Sequence, residues 1–200
     1  MSAEYKAFRI CFLISRAFIS IFYRYKVFGA ENIPENAAVI CANHSSNLDP
    51  FLVAYAFGVK HHMHILAKAE LFKIPLISQI LRKIGMIRVD RDSLDVTSVK
   101  TALSYLKNGE KILIFPEGTR VSDQDSVSAK TGAVKIAQRA AVPIIPVYLP
   151  RKKTLFGQVP VVIGEPYFIE KSSDKRQTDD YVQLSEAMMD SIMVLKDKIR

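Results

Sequence analysis

The 200-residue chain has no tryptophan, only two cysteines, and no apolar run long enough to span a bilayer. Each shortage removes a class of protein. Two cysteines, with Cys11 in a helix-like stretch and Cys41 in an apolar one, cannot staple a disulfide scaffold and point to a reducing compartment. No segment is dominated by proline, glycine or serine, which excludes disordered and collagen-like chains. There is no Gly-x-Ser-x-Gly elbow, phosphate-binding Walker loop or dinucleotide fingerprint. Without tryptophan, an aromatic platform for nucleic acid is disfavoured. What remains is 49% apolar and 24% charged, the balance of a single globular domain able to bury roughly 70% of its unfolded surface.

Acidic residues are also scarce for the number of basic ones. Lys and Arg total 28 against 20 Asp and Glu, a net charge of +8. The excess is not uniform. From Glu165 to Arg200 there are six basic and eight acidic residues, so residues 1–164 carry +10. A basic body favours a polyanionic partner, whether nucleic acid, anionic lipid or a phosphorylated substrate.

Residues 5–28 read YKAFRICFLISRAFISIFYRYKVF. Arginines interrupt the apolar stretches, whose longest uncharged pieces, Ile10–Ser15 and Ala17–Tyr23, fall well short of the ~20 residues a spanning helix needs. No small-residue cleavage site follows, so a cleaved signal peptide is not expected. Phe, Ile and Leu accompanied by Lys6, Arg9, Arg16, Arg24 and Lys26 instead suit a helix lying in an anionic lipid interface. A helix packed on the core with its arginines reaching outward has the same pattern. The expected division is an amphipathic membrane-interface helix over 1–28 and a globular domain over 29–200.

Beyond Gly29 short apolar runs alternate with helical periodicity. Strands are expected at Ala37–Ala42, His64–Ala67, Met86–Val89, Lys111–Phe115, Ile144–Leu149 and Val159–Gly164. Helices are expected at Pro50–Phe57, Leu71–Lys83 with a break at Pro75, Ser93–Lys107, Ala133–Ala141 and Ser173–Lys198. This alternation predicts an α/β fold, one domain with a mixed, largely parallel sheet flanked by helices. In such folds the functional residues gather where strands end.

The first expected strand runs straight into Asn43-His44-Ser45-Ser46-Asn47-Leu48-Asp49-Pro50. Proline suits the first turn of a helix, so Asp49 stands at a helix entrance. Five residues along one continuous helix would separate His44 and Asp49 by about 140°. Across a turn the carboxylate can fold back onto the imidazole, giving a base with its orienting group. The same residues also make an ordinary capped turn with a surface histidine. Two further motifs, Gly85-Met86-Ile87-Arg88-Val89-Asp90-Arg91 and Phe115-Pro116-Glu117-Gly118-Thr119-Arg120, each put an arginine at or beyond a strand end, where its planar fork suits a phosphate. Gly118 allows close backbone approach and an N–H for a developing oxyanion. Glu117 requires a partner if buried. Lys68 and Glu70 add charges at the end of the second strand.

In this order and at these separations, NHSSNLD, GMIRVDR, FPEGTR and VPIIPV resemble the four motif blocks of the glycerolipid acyltransferase family, over roughly Ile33 to Pro166. The resemblance implies that fold, with an N-terminal membrane-binding region, and transfer of an acyl chain from a thioester, on coenzyme A or acyl carrier protein, to a hydroxyl of a glycerophospholipid precursor such as lysophosphatidate. It implies His44 as general base, Asp49 as its orienting carboxylate, and Lys68, Arg91 and Arg120 as phosphate contacts. Glu117, Gly118 and Thr119 would belong to the block shaping the acceptor site, and Val142–Val147 would lie near the acyl chain. No cofactor, metal or nucleic acid is implied, and the location would be the cytoplasmic face of the cell membrane, peripheral or monotopic. Another lysophospholipid or a lipid amine as acceptor is an alternative, as is a non-catalytic basic binding module. Val121 departs from the serine that often follows the arginine. The His61–His64 run is no signature of the family, and without further ligand motifs it is not expected to bind metal. Arg151-Lys152-Lys153 reads as an exposed basic loop facing lipid headgroups or an acidic carrier.

Overall fold

The computed structural model describes residues 2–90, 96–122, 127–170 and 177–199. Seven strands form one sheet: β1 (Arg24–Phe28), β2 (Ala38–Ala42), β3 (Met63–Lys68), β4 (Ile87–Val89), β5 (Lys111–Ile114), β6 (Ile144–Tyr148) and β7 (Gln158–Ile163), in the order β1-β7-β6-β2-β5-β3-β4. Every neighbouring pair is parallel except β6–β7. The helices are α1 (Ala3–Phe22), α2 (Asp49–Phe57), α3 (Pro75–Lys83), α4 (Val96–Lys107), α5 (Gly132–Ala140) and α6 (Gln177–Val194). The expected α/β domain with a mixed, mostly parallel sheet is the fold that forms.

The strands read as continuous apolar runs because both faces of the sheet are covered. Alternate residues of β2 feed two cores. Ala38, Ile40 and Ala42 pack with Leu52, Val53 and Phe57 of α2 and with Phe8 and Phe12 of α1. Val39 and Cys41 pack with Ala102 and Leu106 of α4, Val134 and Ala137 of α5, and Met188 and Ile192 of α6. Burial pushes the Cys41 thiol up, leaving an inert space-filling residue.

The N-terminal segment differs from its expected form. The helix ends at Phe22, and Tyr23 takes an extended conformation. The chain then enters β1, which pairs in parallel with β7 from Arg24↔Gln158 to Phe28↔Val162. Arg24 and Lys26 alternate with Tyr25 and Val27, a period-2 signal that the aromatic run before it masks. A second change falls at Leu71–Lys83, where Pro75 divides the segment into a 3-10 turn over Ala69–Lys73 and helix α3. Residues 93–95 and 173–176 of the expected helices lie outside the described residues.

Helix α1 buries Phe8 and Phe12 and leaves Ile10, Leu13, Ile14, Phe18 and Ile21 largely exposed. Arg9 and Arg16 lie over the rings of Tyr5 and Tyr25. Among the described residues no helix is long and apolar enough to cross a membrane.

Candidate active site

Parallel pairing of β5, β2 and β6 brings their C-terminal ends to one edge of the sheet. His44 follows β2, Glu117 follows β5, and Arg151 and Lys153 follow β6. Asn43 ties the first and last of these loops: its amide donates to the Leu149 carbonyl and accepts from the Leu149 N–H, each at 2.8 Å.

His44 is held at every side but one. Its backbone N–H donates to Glu117 Oε2, and its carbonyl accepts from the Val121 N–H at 2.8 Å. The ring stacks on Phe115 with centroids 4.2 Å apart. Nδ1 lies 3.0 Å from Asp49 Oδ2. A carboxylate on Nδ1 fixes the tautomer in which Nε2 carries the lone pair, and His44 is one of the residues lining a cavity. The carboxylate does fold back across the turn. Asp49 opens α2, and its Oδ2 also accepts the N–H groups of Ser45 and Ser46, both at 2.7 Å. Burial works to raise the Asp49 pKa. The His44 hydrogen bond, the charge and hydrogen bond of Lys153, and the Ser45 N–H outweigh it and hold the carboxyl below its ordinary value.

Two expectations are corrected here. Glu117 was expected in the acceptor site. It is instead 2% exposed, does not line the cavity, and has both oxygens engaged, Oε2 by the His44 N–H and Oε1 by Arg151 Nη2 at 2.6 Å. A buried carboxylate needs such partners, and these make it a brace between the loops after β2, β5 and β6. Gly118 was expected to offer its N–H to an oxyanion, but that N–H donates to the Phe115 carbonyl at 3.0 Å. Glycine is required for another reason: φ is +67°, and a Cβ would lie 2.8 Å from Lys130 Cε.

Arg151 and Lys153 overturn the expected exposed loop. Lys153 Nζ lies 2.6 Å from Asp49 Oδ1, and its side chain is only 4% exposed. Arg151 also donates to the Val121 carbonyl at 2.8 Å. A basic pair immediately after a strand whose end adjoins Asp49 and Glu117 was the available signal. It required knowing which strands are neighbours.

The cavity beside His44 has a volume of about 610 Å³. Its lining combines the polar and basic Asn47, Lys68, Thr119, Arg120 and Lys130 with the apolar Ile65, Leu66, Leu71, Leu81, Met86 and Val89. Lys68 is half-exposed and pairs with Glu70 at 3.2 Å. Arg120 Nη1 donates to Asn47 Oδ1 at 3.3 Å. The structure thus gathers His44, Lys68, Gly118, Thr119 and Arg120 around one space and adds Asn47 and Lys130, which the sequence reading missed. Arg91 lies outside the described residues.

The His61–His64 run has its own geometry. Glu110 Oε2 is 2.8 Å from His62 Nδ1 and 2.6 Å from His64 Nε2. Among the described residues this is the one group offering three metal-ligand atoms within 4.8 Å of one another. It sits where β3 and β5 begin, at the opposite edge from His44, so a cation held there would not reach the atoms around that ring.

Comparison with known proteins accords with this geometry. A family model described as Acyltransferase matches residues 24–150. A 1-acyl-sn-glycerol-3-phosphate acyltransferase of Bacillus subtilis is 32% identical over 199 residues, covering 96% of this chain and 98% of that protein. One from Borreliella burgdorferi is 33% identical over 156 residues, covering 74% of this chain and 62% of that longer protein. The crystal structure of the 1-acyl-sn-glycerophosphate acyltransferase PlsC from Thermotoga maritima superposes with a TM-score of 0.68 at 30% identity, covering 96% of this chain and 79% of that one.

Proposed function

The chain belongs to the acyltransferase family, and from that premise we propose that it transfers an acyl chain from a thioester to the free hydroxyl of lysophosphatidate, giving phosphatidate. The donor is acyl-coenzyme A or acyl carrier protein. One observation carries the reading: the Asp49-paired imidazole lines a cavity whose wall combines three cations with a set of apolar side chains. That combination matches an acceptor with an anionic head and two substrates with hydrocarbon chains.

In this mechanism Lys68, Arg120 and Lys130 hold the phosphate. His44 Nε2 takes the proton of the hydroxyl as its oxygen attacks the thioester carbonyl, and Asp49 stabilises the imidazolium. When the tetrahedral intermediate collapses, the C–S bond breaks and the thiolate takes the proton from Nε2. No acyl-enzyme forms. General-base action of this kind is worth ~10²–10⁴-fold. Purified protein supplied with lysophosphatidate and each donor tests the reading. Phosphatidate is expected, with much poorer turnover of an acceptor that lacks the phosphate. Equal turnover of the two acceptors would point to a different lipid alcohol or amine, and no transfer to a non-catalytic basic module.

Arg120→Ala tests the phosphate role. Charge-assisted hydrogen bonds are worth roughly 1.5–3 kcal/mol, so the acceptor KM should rise ~10–100-fold while kcat changes little. An unaltered KM removes Arg120 from that role.

We assign membrane contact to α1 and catalysis to the rest of the chain, at the cytoplasmic face, where thioester donors are available. The exposed apolar face of α1 with Arg9, Arg16 and Arg24 nearby supports this. Burying one large apolar side chain contributes about 1.5–3 kcal/mol, so Ile14→Glu and Phe18→Glu should each weaken co-sedimentation with anionic vesicles at least ~10-fold. Binding unchanged in both would leave α1 as a packing helix only.

A further inference from the structure

We propose that Lys153 is a positioning residue for the acyl transfer: by holding the second oxygen of Asp49 it fixes the aim of His44 and sets the pH range over which that ring works as a base. The inference rests on reading His44 as the base.

Asp49 is fully buried. Its Oδ2 is filled by His44 Nδ1 and the N–H groups of Ser45 and Ser46. Among the described residues Oδ1 meets only Lys153 Nζ, at 2.6 Å. The same ammonium donates to Ser45 Oγ at 2.9 Å and to the Pro150 carbonyl at 2.8 Å. Three neighbours use the full donor capacity of an ammonium group. Lys153 is also absent from the cavity wall. It therefore acts on the reaction through Asp49 and not through the substrate.

The charge count gives the consequence. With a neutral ring, Asp49 and Lys153 cancel, and proton uptake takes the trio to +1. Without Lys153 the resting site would be −1 and proton uptake would neutralise it, so the ring would keep its proton to higher pH and be withdrawn from use as a base. Asp49 would also lose the contact that stops its carboxylate from swinging off Nδ1. The other charges facing His44 are Lys68 from β3, Arg120 and Lys130 from the segments around β5 and α5, and Glu117 on its backbone, paired with Arg151. None of these changes when Lys153 is replaced.

The test compares Lys153→Met with Lys153→Arg, using the exposed neighbour variant Lys152→Met as control. In Lys153→Met, kcat should fall ~10–100-fold through misalignment, with KM within about 3-fold. The acid limb of kcat/KM should move up by about one pH unit. Lys153→Arg should keep the limb in place. The titration of the His44 ring followed by NMR in the free protein should show the same upward move and needs no turnover. If the wild-type protein transfers no acyl group, the functional reading fails while the ring titration still tests Lys153. If Lys153→Met does not fold, Asp49→Asn is compared with the Asp49→Asn, Lys153→Met double variant, whose His44 midpoint should lie about one unit higher. An unmoved midpoint in either comparison, or a raised KM with unchanged kcat, overturns the proposal.

Discussion

Replacing His44 with alanine should lower kcat for phosphatidate formation ~10²–10⁴-fold while leaving the acceptor KM within about 3-fold. The two parameters separate because different residues govern them. Nε2 of His44 is the proton acceptor of the proposed mechanism, whereas the cavity cations Lys68, Arg120 and Lys130 lie on other segments and stay in place. The fold should survive, because Asp49 keeps Lys153 and the Ser45 and Ser46 N–H groups. The backbone bonds of residue 44 to Glu117 and Val121 do not depend on its side chain. Single-turnover assays beside circular dichroism check this. A folded His44→Ala protein with kcat within tenfold of wild type would remove the histidine from the chemistry.

Glu117→Ala should act on stability instead. Removing one member of a buried ion pair typically costs about 3–5 kcal/mol, because the charge left behind was desolvated for its partner. Here Arg151 would lose the carboxylate 2.6 Å from its Nη2, and the His44 N–H would lose its acceptor. At about 2–4 °C per kcal/mol for a chain of this size, thermal unfolding should fall by roughly 10 °C. Glu117→Gln keeps an acceptor for His44 and should lose less. Urea titration of both variants tests the bracing role, and a loss below about 1 kcal/mol for alanine would show that the pair is dispensable. The folded fraction should retain its acceptor KM, since Glu117 does not line the cavity.

Much of the sheet was legible because parallel strands covered on both faces appear as bare apolar runs: AAVICA, KILIF and VPIIPV need no partner to be recognised. His44 and Asp49 were legible for a local reason, a strand running into a turn before Asp-Pro. Strand order was not legible. The depth of Arg151 and Lys153, and the inward turn of Glu117, depend on β5 and β6 flanking β2, where Ala38 pairs with Lys111 and Val39 with Ile144, partners far apart in the chain. A basic triplet after a strand looks like a surface loop until the carboxylates opposite it are known. The Gly118 N–H was misread for the converse reason. The lack of a Cβ suggests an open donor, but the turn that requires positive φ also uses that N–H.

The join between α1 and β1 has a mechanical consequence. Only Tyr23 separates the helix from a strand registered against β7 over five residues, and the Phe156 N–H is bonded to the Phe22 carbonyl at 2.6 Å. The helix therefore has no swivel. On the proposed membrane contact of α1, the tilt of the entire sheet would be set at the same time, and so would the height of the His44 edge above the headgroups. Lipid access becomes a matter of fixed orientation rather than of a tethered body searching for its angle.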